Sequence, residues 1–521
     1  MLFSGIIGYF TGRDKFWGGI DLLAPVEERS RLSRELTQDL FTKSSLETSG
    51  RTPYINFIKI FDSIIPGDVF VAMSLLSSIT LTLAPTLLFL MLYFTLHCTY
   101  NPMKTTISSH VLLSFFIFIF GVNVLTRLPY IPSIYLAGFG PLASPWAAPE
   151  NLSIVLNCFA MLLLSLPRIL AKTPLRIMAF LLILVGTLIH PASSLFLILI
   201  ILTFKTFFKT LRIDFLVTTL SSLCIGYLVL TLMFLSRHNP LTSPQFIQIY
   251  AELRHPHHFV PSEYLSESNV LFHLIVFLFS FFICPKSNRV IRVLILWLFS
   301  YMVFFNFMQY VSVELFKIQF LAAFGPSRIN TYTLTALFVL VVLSRAVPVK
   351  EVEDLERNIQ NSKPSRTLFP LTCGSFLLIL LCVWGYISSD YKEFKKQTQI
   401  ETFALGISQG DKVIVDSAVE TMGWREFSQI SIWFDYYFMF ESAGIAEYRE
   451  RWLVSCGPVS LSFCENRLFK GNSEALEKVM NANSIEKLVA SKPLPMSFSE
   501  KKFKFLGQTN NKWSYEFDNK K

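Results

Sequence analysis

The densest run of reactive side chains in the sequence is Arg254-His255-Pro256-His257-His258, three imidazoles and a guanidinium within five residues. An Arg fork with His donors beside it suits a phosphate or pyrophosphate group. Metal binding is a weaker use, because the spacing matches no standard ligand pattern; a surface loop without a role is the third reading. A second candidate is Asp62-Ser-Ile-Ile-Pro-Gly-Asp68. Its two carboxylates can act as a general base or hold a divalent metal ion. The plainer reading, and the one local sequence favours, is a turn and helix cap. His190-Pro191 and Arg328, within Gly325-Pro326-Ser327-Arg328-Ile329-Asn330, are single residues between apolar blocks. His190 is a ligand or proton carrier, or it bonds a free helix carbonyl. Arg328 meets an anionic headgroup, or it snorkels as an interfacial anchor.

The elements that must position these groups are apolar. Hydrophobic residues make up 52% of the chain and charged residues 16%, with 51 Phe, against roughly 25% charge in an ordinary soluble domain. The apolar residues fall in blocks of about 16–25, which is bilayer length. These predict spans near 69–97, 107–126, 150–166, 174–190, 192–208, 213–235, 268–284, 290–308, 331–346 and 369–388. The pair parted only by His190-Pro191 is either a tight hairpin or one broken helix.

Lys and Arg set an orientation. Arg168, Lys172 and Arg176 lie in one link. Lys205, Lys209 and Arg212 lie in a second, Lys286, Arg289 and Arg292 in a third, and Arg345 to Arg366 in a fourth. All four share the cytoplasmic side under the positive-inside rule. Asp62, Asp68, His190, the Arg254–His258 run and Arg328 then fall on the opposite face. The net charge of +9 is explained by these links, so no nucleic-acid partner is expected.

The expected layout is an N-terminal segment at 1–68, a transmembrane bundle at 69–346, a charged cytoplasmic linker at 347–367, a last transmembrane helix at 368–388 and an extracytoplasmic α/β domain at 389–521. The apolar stretch Leu2–Phe10 is too short to span. Either it ends a truncated first span, or 1–68 stays on the cytoplasmic side. In the C-terminal region Lys412–Asp416 reads as a strand and Ala475–Asn481 as a helix. Cys456 and Cys464 are a disulfide in an oxidising compartment or two free thiols.

The acidic Asp-x-x-x-Pro-Gly-Asp element, the span ending in His-Pro, the Arg-His-Pro-His-His loop, the late Arg328 and the tail Trp424-Arg425 to Glu447–Trp452 together resemble a bacterial multi-span family of unknown function. That family is similar to the C-type (GT-C-like) glycosyltransferases, which use polyprenyl-phosphate sugars. The resemblance covers most of the chain after residue 55. It implies a GT-C-like α-helical polytopic membrane protein of about ten or eleven transmembrane helices, in the bacterial inner (cytoplasmic) membrane, with membrane lipid around it.

It further implies transfer of a sugar from a polyprenyl-phosphate-linked donor to an envelope glycan, lipid or protein acceptor at the outer face. Asp68 or Asp62 would be the base. Arg254, His255, His257, His258, Arg328 and His190 would hold the departing phosphate. No metal ligand set is implied beyond the two Asp, and whether a divalent ion takes part is left open. Two other function classes compete. A glycan polymerase or ligase would need the Arg and His without a carboxylate base. A transport or structural role would need neither.

Overall fold

A computed structural model describes residues 52–64, parts of 76–92, 148–165, 173–235, 241–254, most of 259–284, 289–346 and most of 392–518. The expected spans at 107–126 and 369–388, the linker at 347–367, Asp68, His255, His257 and His258 lie outside the described residues. The chain divides into two compact units, the first drawing on 75–232 and 257–383, the second on 19–74, 233–256 and 384–521. Residues 233–256, expected within the bundle, therefore group with the C-terminal region.

The first unit is a helical bundle. Its long helices are α1 (Ala148–Ser165), α2 (Thr173–Ile189), α3 (Pro191–Phe207), α4 (Ile213–Leu235), α5 (Glu267–Ile283), α6 (Arg289–Tyr310) and α7 (Ile329–Ala346). These match the apolar blocks to within two residues at most ends. Among the described residues, two helical stretches, Ile213–Met233 and Arg289–Leu315, are long and apolar enough to cross a membrane. The second counts α6 together with the π-helical turn Val311–Leu315 that prolongs it. Of the ten expected spans, those at 107–126 and 369–388 and much of 69–97 lie outside the described residues; among the rest, several helices fall short in length. Helices α2, α3 and α5 have 17 residues each. At ~1.5 Å per residue they reach about 26 Å, short of a ~30 Å hydrocarbon core.

Contacts along the helices fix their directions. Arg176 meets Asp214 at 3.2 Å, and the Thr187 side chain packs on Gly226, so α2 and α4 run parallel. Tyr227 Oη donates to the Pro191 carbonyl at 2.8 Å, while Lys205 lies over the Phe215 ring, so α3 runs antiparallel to α4. Helices α2 and α3 are thus a tight hairpin, turned at His190 alone. Pro191 makes this possible: its fixed φ suits the first helical position, and its missing N–H is no loss there. Helix α6 runs back along α3, since Phe305 meets Phe196 and Trp297 meets Phe207.

The core is made of the inward faces of these helices. Phe196 is fully buried, with Phe305 and Phe324 edge-on to it. The outward faces are equally apolar. Ile177, Leu181 and Val185 on α2, Val217, Leu228 and Leu232 on α4, and Val303, Phe304 and Phe307 on α6 are all exposed.

The second unit contains a five-stranded sheet of order β2-β1-β3-β5-β4, from β1 (Lys412–Val415), β2 (Ser431–Ile432), β3 (Lys487–Ala490), β4 (Phe503–Thr509) and β5 (Lys512–Phe517). The first three strands are parallel, and β5 is antiparallel to both β3 and β4. Helices α8 (395–404), α9 (Gly444–Ser455) and α10 (Ser473–Asn483) accompany it. Leu405, Val413, Val415, Trp424, Ile432 and Val489 form a core on one face.

The strand and helix expected at Lys412–Asp416 and Ala475–Asn481 are both present. A disulfide joins Cys456 and Cys464. Arg449 on α9 donates to Gln248 Oε1 at 3.0 Å. That bond ties α9 to the π-helical segment Gln248–Arg254, which helps explain why this segment groups with the sheet.

Candidate functional site

The helix directions gather unlike chemistry at the two ends of the first unit. One end carries Arg176, Lys205, Arg212 and Arg292. There Asp214 accepts from Arg212 and pairs with Arg176, and Arg292 reaches the last turn of α5. The other end collects the starts of α1, α3 and α7 and the ends of α2 and α6, and it holds the candidate site.

That site is built on Arg328. The short helix Gln319–Phe324 ends at Gly325, whose φ of +66° is left-handed, a conformation glycine adopts without steric cost. The chain then makes one 3₁₀ turn, Pro326–Arg328, into α7. The Arg328 side chain folds back across Gly325, where an added Cβ would lie 3.2 Å from Nε. Its Nη1 donates to Glu150 Oε2 at 3.1 Å and faces His190 Nε2 at 2.9 Å.

Glu150 is only 5% exposed and lies in the first turn of α1 behind Pro149. A carboxylate is favoured at a helix N-terminus by the backbone dipole. Its second oxygen accepts from Tyr332 Oη at 3.2 Å, and Tyr332 is also hydrogen-bonded to Ser193. Both Glu150 oxygens are therefore engaged.

His190 links the other partners. It is the N-cap of α3, and Ser193 Oγ lies 2.6 Å from Nδ1. A ring nitrogen facing a guanidinium N–H must accept, so Nε2 is the bare nitrogen and Nδ1 carries the proton, donating to Ser193 Oγ. In this tautomer the Ser193 N–H, 3.3 Å from Nδ1, meets a protonated nitrogen and does not donate to it. One arm of Arg328 is thus held by a carboxylate and an imidazole. Nη2 and Nε have no hydrogen-bond partner among the described residues, and the side chain is 37% exposed.

A polar stripe continues inward from Glu150. Ser153 and Asn157 follow it on one face of α1. Ser153 Oγ donates to the Gly186 carbonyl at 2.9 Å. Asn157 Nδ2 donates to the Ser153 carbonyl at 2.7 Å and to Ser194 Oγ at 2.8 Å. Gly186 is required here, because a Cβ would lie 2.6 Å from Asn157 Nδ2.

A second group borders Arg328. Tyr264 Oη donates to Asn306 Oδ1 at 3.0 Å and is hydrogen-bonded to Ser327; Asn306 Nδ2 donates to Asn330 Oδ1 at 2.8 Å. Burial pushes the Tyr264 phenol well above its ordinary pKa, so it stays a donor. Gln309 Nε2 donates to the Phe259 carbonyl at 3.0 Å, and Glu314 accepts from the Ser262 N–H at 2.9 Å. The segment directly after His257-His258 is thereby pinned to the end of α6 and to the residue before Arg328.

Of the expected site residues, the structure brings His190 and Arg328 into contact. Asp62 lies on the helix Thr52–Ile64 and Arg254 closes the π-helical segment, both in the second unit. Asp68, His255, His257 and His258 lie outside the described residues. Glu150, Ser193 and Tyr332 were not anticipated. The signal for Glu150 was present in the sequence: an acid directly after Pro149, followed by Ser153 and Asn157 at helical spacing inside an apolar run.

No family model matches the chain, no curated protein matches it in sequence and no solved structure matches it in fold. Among the described residues, no group of three or more His, Cys, Asp or Glu is placed to hold a metal ion.

Proposed function

We propose that the first unit is a membrane-embedded bundle whose Arg328 end holds the phosphate of a polyprenyl-phosphate-linked substrate, and that the protein is a membrane glycosyltransferase acting at the outer face. The observation that carries this reading is the half-occupied guanidinium. Glu150 and His190 orient Arg328 from one side, and the free edge has the fork geometry of a phosphate contact. The apolar outward faces of α2, α4 and α6 support a lipid environment, since soluble proteins rarely expose contiguous apolar surface on this scale. The basic residues at the opposite end agree with a cytoplasmic side. A positive group beside the leaving phosphate would stabilise charge that grows as the sugar–oxygen bond breaks.

In this reading Glu150 positions Arg328 and does not deprotonate the acceptor, because both its oxygens are already used. The base would be Asp68 or Asp62. Those same engaged oxygens favour a second reading, a glycan polymerase or ligase, which works through Arg and His without a carboxylate base.

Turnover of lipid-linked sugars in membranes carrying wild type, Arg328→Ala and Asp68→Asn separates these. Loss in both variants is expected of the glycosyltransferase. Loss in Arg328→Ala alone assigns the polymerase or ligase chemistry. Equal turnover in all three across a broad donor set rejects both.

A further inference from the structure

The C-terminal domain presents a stripe of side chains with no counterpart in the site. On α8 the buried positions are Thr398 and Thr402, and Leu405, just past its end, is buried too. Glu401 turns toward the domain as well, accepting from Trp424 Nε1 at 3.1 Å and from Lys512 Nζ at 2.6 Å. The opposite side of the helix carries Ile400, 56% exposed, and Phe403, 84% exposed. At about 100° per residue, Lys396, Ile400 and Phe403 fall within roughly 60° of arc, and Lys392 extends the same line one turn earlier. Both lysines are exposed. Strand β4 abuts the end of α8, with Gly507 against the Ala404 carbonyl, and half-exposed Phe505 lies two residues away.

Single exposed apolar residues are ordinary. An aromatic and an aliphatic residue aligned with two lysines are the composition of a helix lying in a lipid interface: rings and branched chains enter the acyl boundary, and ammonium groups remain with anionic headgroups. We propose that α8, with the turn before it, rests on an anionic lipid surface through Phe403, Ile400, Lys396 and Lys392. This rests on the membrane reading above. In that reading the apolar block at 369–388 ends about seven residues before α8, and seven extended residues reach at most about 25 Å. The helix is therefore tethered within reach of the headgroups. Glu393 is also exposed beside this stripe, and a protein partner would find only two apolar side chains on it.

The test uses the full-length protein in nanodiscs of phosphatidylglycerol and phosphatidylcholine containing a diazirine phospholipid. After illumination, peptides are mapped by mass spectrometry. Wild type should label both in 213–235 and in 392–404. Ile400→Ser/Phe403→Ser should lower labelling of 392–404 roughly tenfold with 213–235 unchanged, and Lys392→Glu/Lys396→Glu should lower it in anionic discs but not in pure phosphatidylcholine. Labelling of 213–235 with none in 392–404 overturns the inference while leaving the membrane reading intact. Labelling of neither overturns both. Cross-linking of 392–404 to a second copy in place of lipid also overturns it.

Discussion

At the scale of single residues, Arg328 depends on the partners that hold it. Removing a hydrogen-bonded partner of a charged group costs about 1.5–3 kcal/mol. Glu150→Ala should therefore lower the thermal midpoint measured in detergent and also reduce turnover, because the guanidinium loses its anchor. Glu150→Gln keeps one acceptor, for Arg328, and places an amide NH2 where the second oxygen took the Tyr332 hydroxyl, so it should retain part of the stability. His190 has two duties, donating from Nδ1 to Ser193 Oγ at the start of α3 and accepting from Arg328 at Nε2. His190→Asn places a capping acceptor at this position, and His190→Ala does not. The expected result is a difference of about 1 kcal/mol in stability between them, with turnover reduced in both. Equal stability would mean that the cap contributes nothing. His190 and Arg328 were legible in the sequence as polar groups stranded between apolar blocks. Their partner Glu150 was visible as an acid after Pro149, but its role was not, because it reads as the first residue of an apolar block. Only the fold shows that three helix starts and one corner converge on it.

At the scale of elements, the α1–α2 pair is set by one close approach. Gly186→Ala puts a methyl group 2.6 Å from Asn157 Nδ2, and overpacking of this kind costs typically 1–3 kcal/mol. Asn157→Ala in the same chain removes the clash, so the double variant should recover part of the loss seen in Gly186→Ala. Additive losses in thermal denaturation would show that the two positions are not coupled. The helix positions themselves were readable from the apolar blocks, since α1 to α7 coincide with expected spans. The α2–α3 corner was not, because His-Pro permits either a hairpin or a bend. The choice is made by distant contacts, Arg176 with Asp214 and Tyr227 with the Pro191 carbonyl. The π-helical turn Val311–Leu315 was likewise silent in the sequence, and it is what brings Glu314 to the Ser262 N–H.

At the scale of the whole molecule, the account assigns opposite sides to the two ends of the bundle. Cysteines introduced at Lys209 and at Ser262, in a background without exposed native thiols, should react with a membrane-impermeant maleimide from opposite sides of sealed vesicles. Reaction of both from one side would reject the arrangement. The composition announced an apolar helical region and a separate α/β domain, and both are present. It did not show that 233–256 groups with the C-terminal region, because that grouping rests on contacts such as Arg449 with Gln248, which no local pattern encodes. The central claim is that the free edge of Arg328 receives a lipid-linked phosphate, and binding of a polyprenyl phosphate to the purified protein in nanodiscs, read by native mass spectrometry, tests it most directly. Arg328→Lys keeps the charge and loses the fork. The account predicts affinity at least about tenfold weaker than wild type, equivalent to ~1.4 kcal/mol; equal affinity in the two proteins would contradict it.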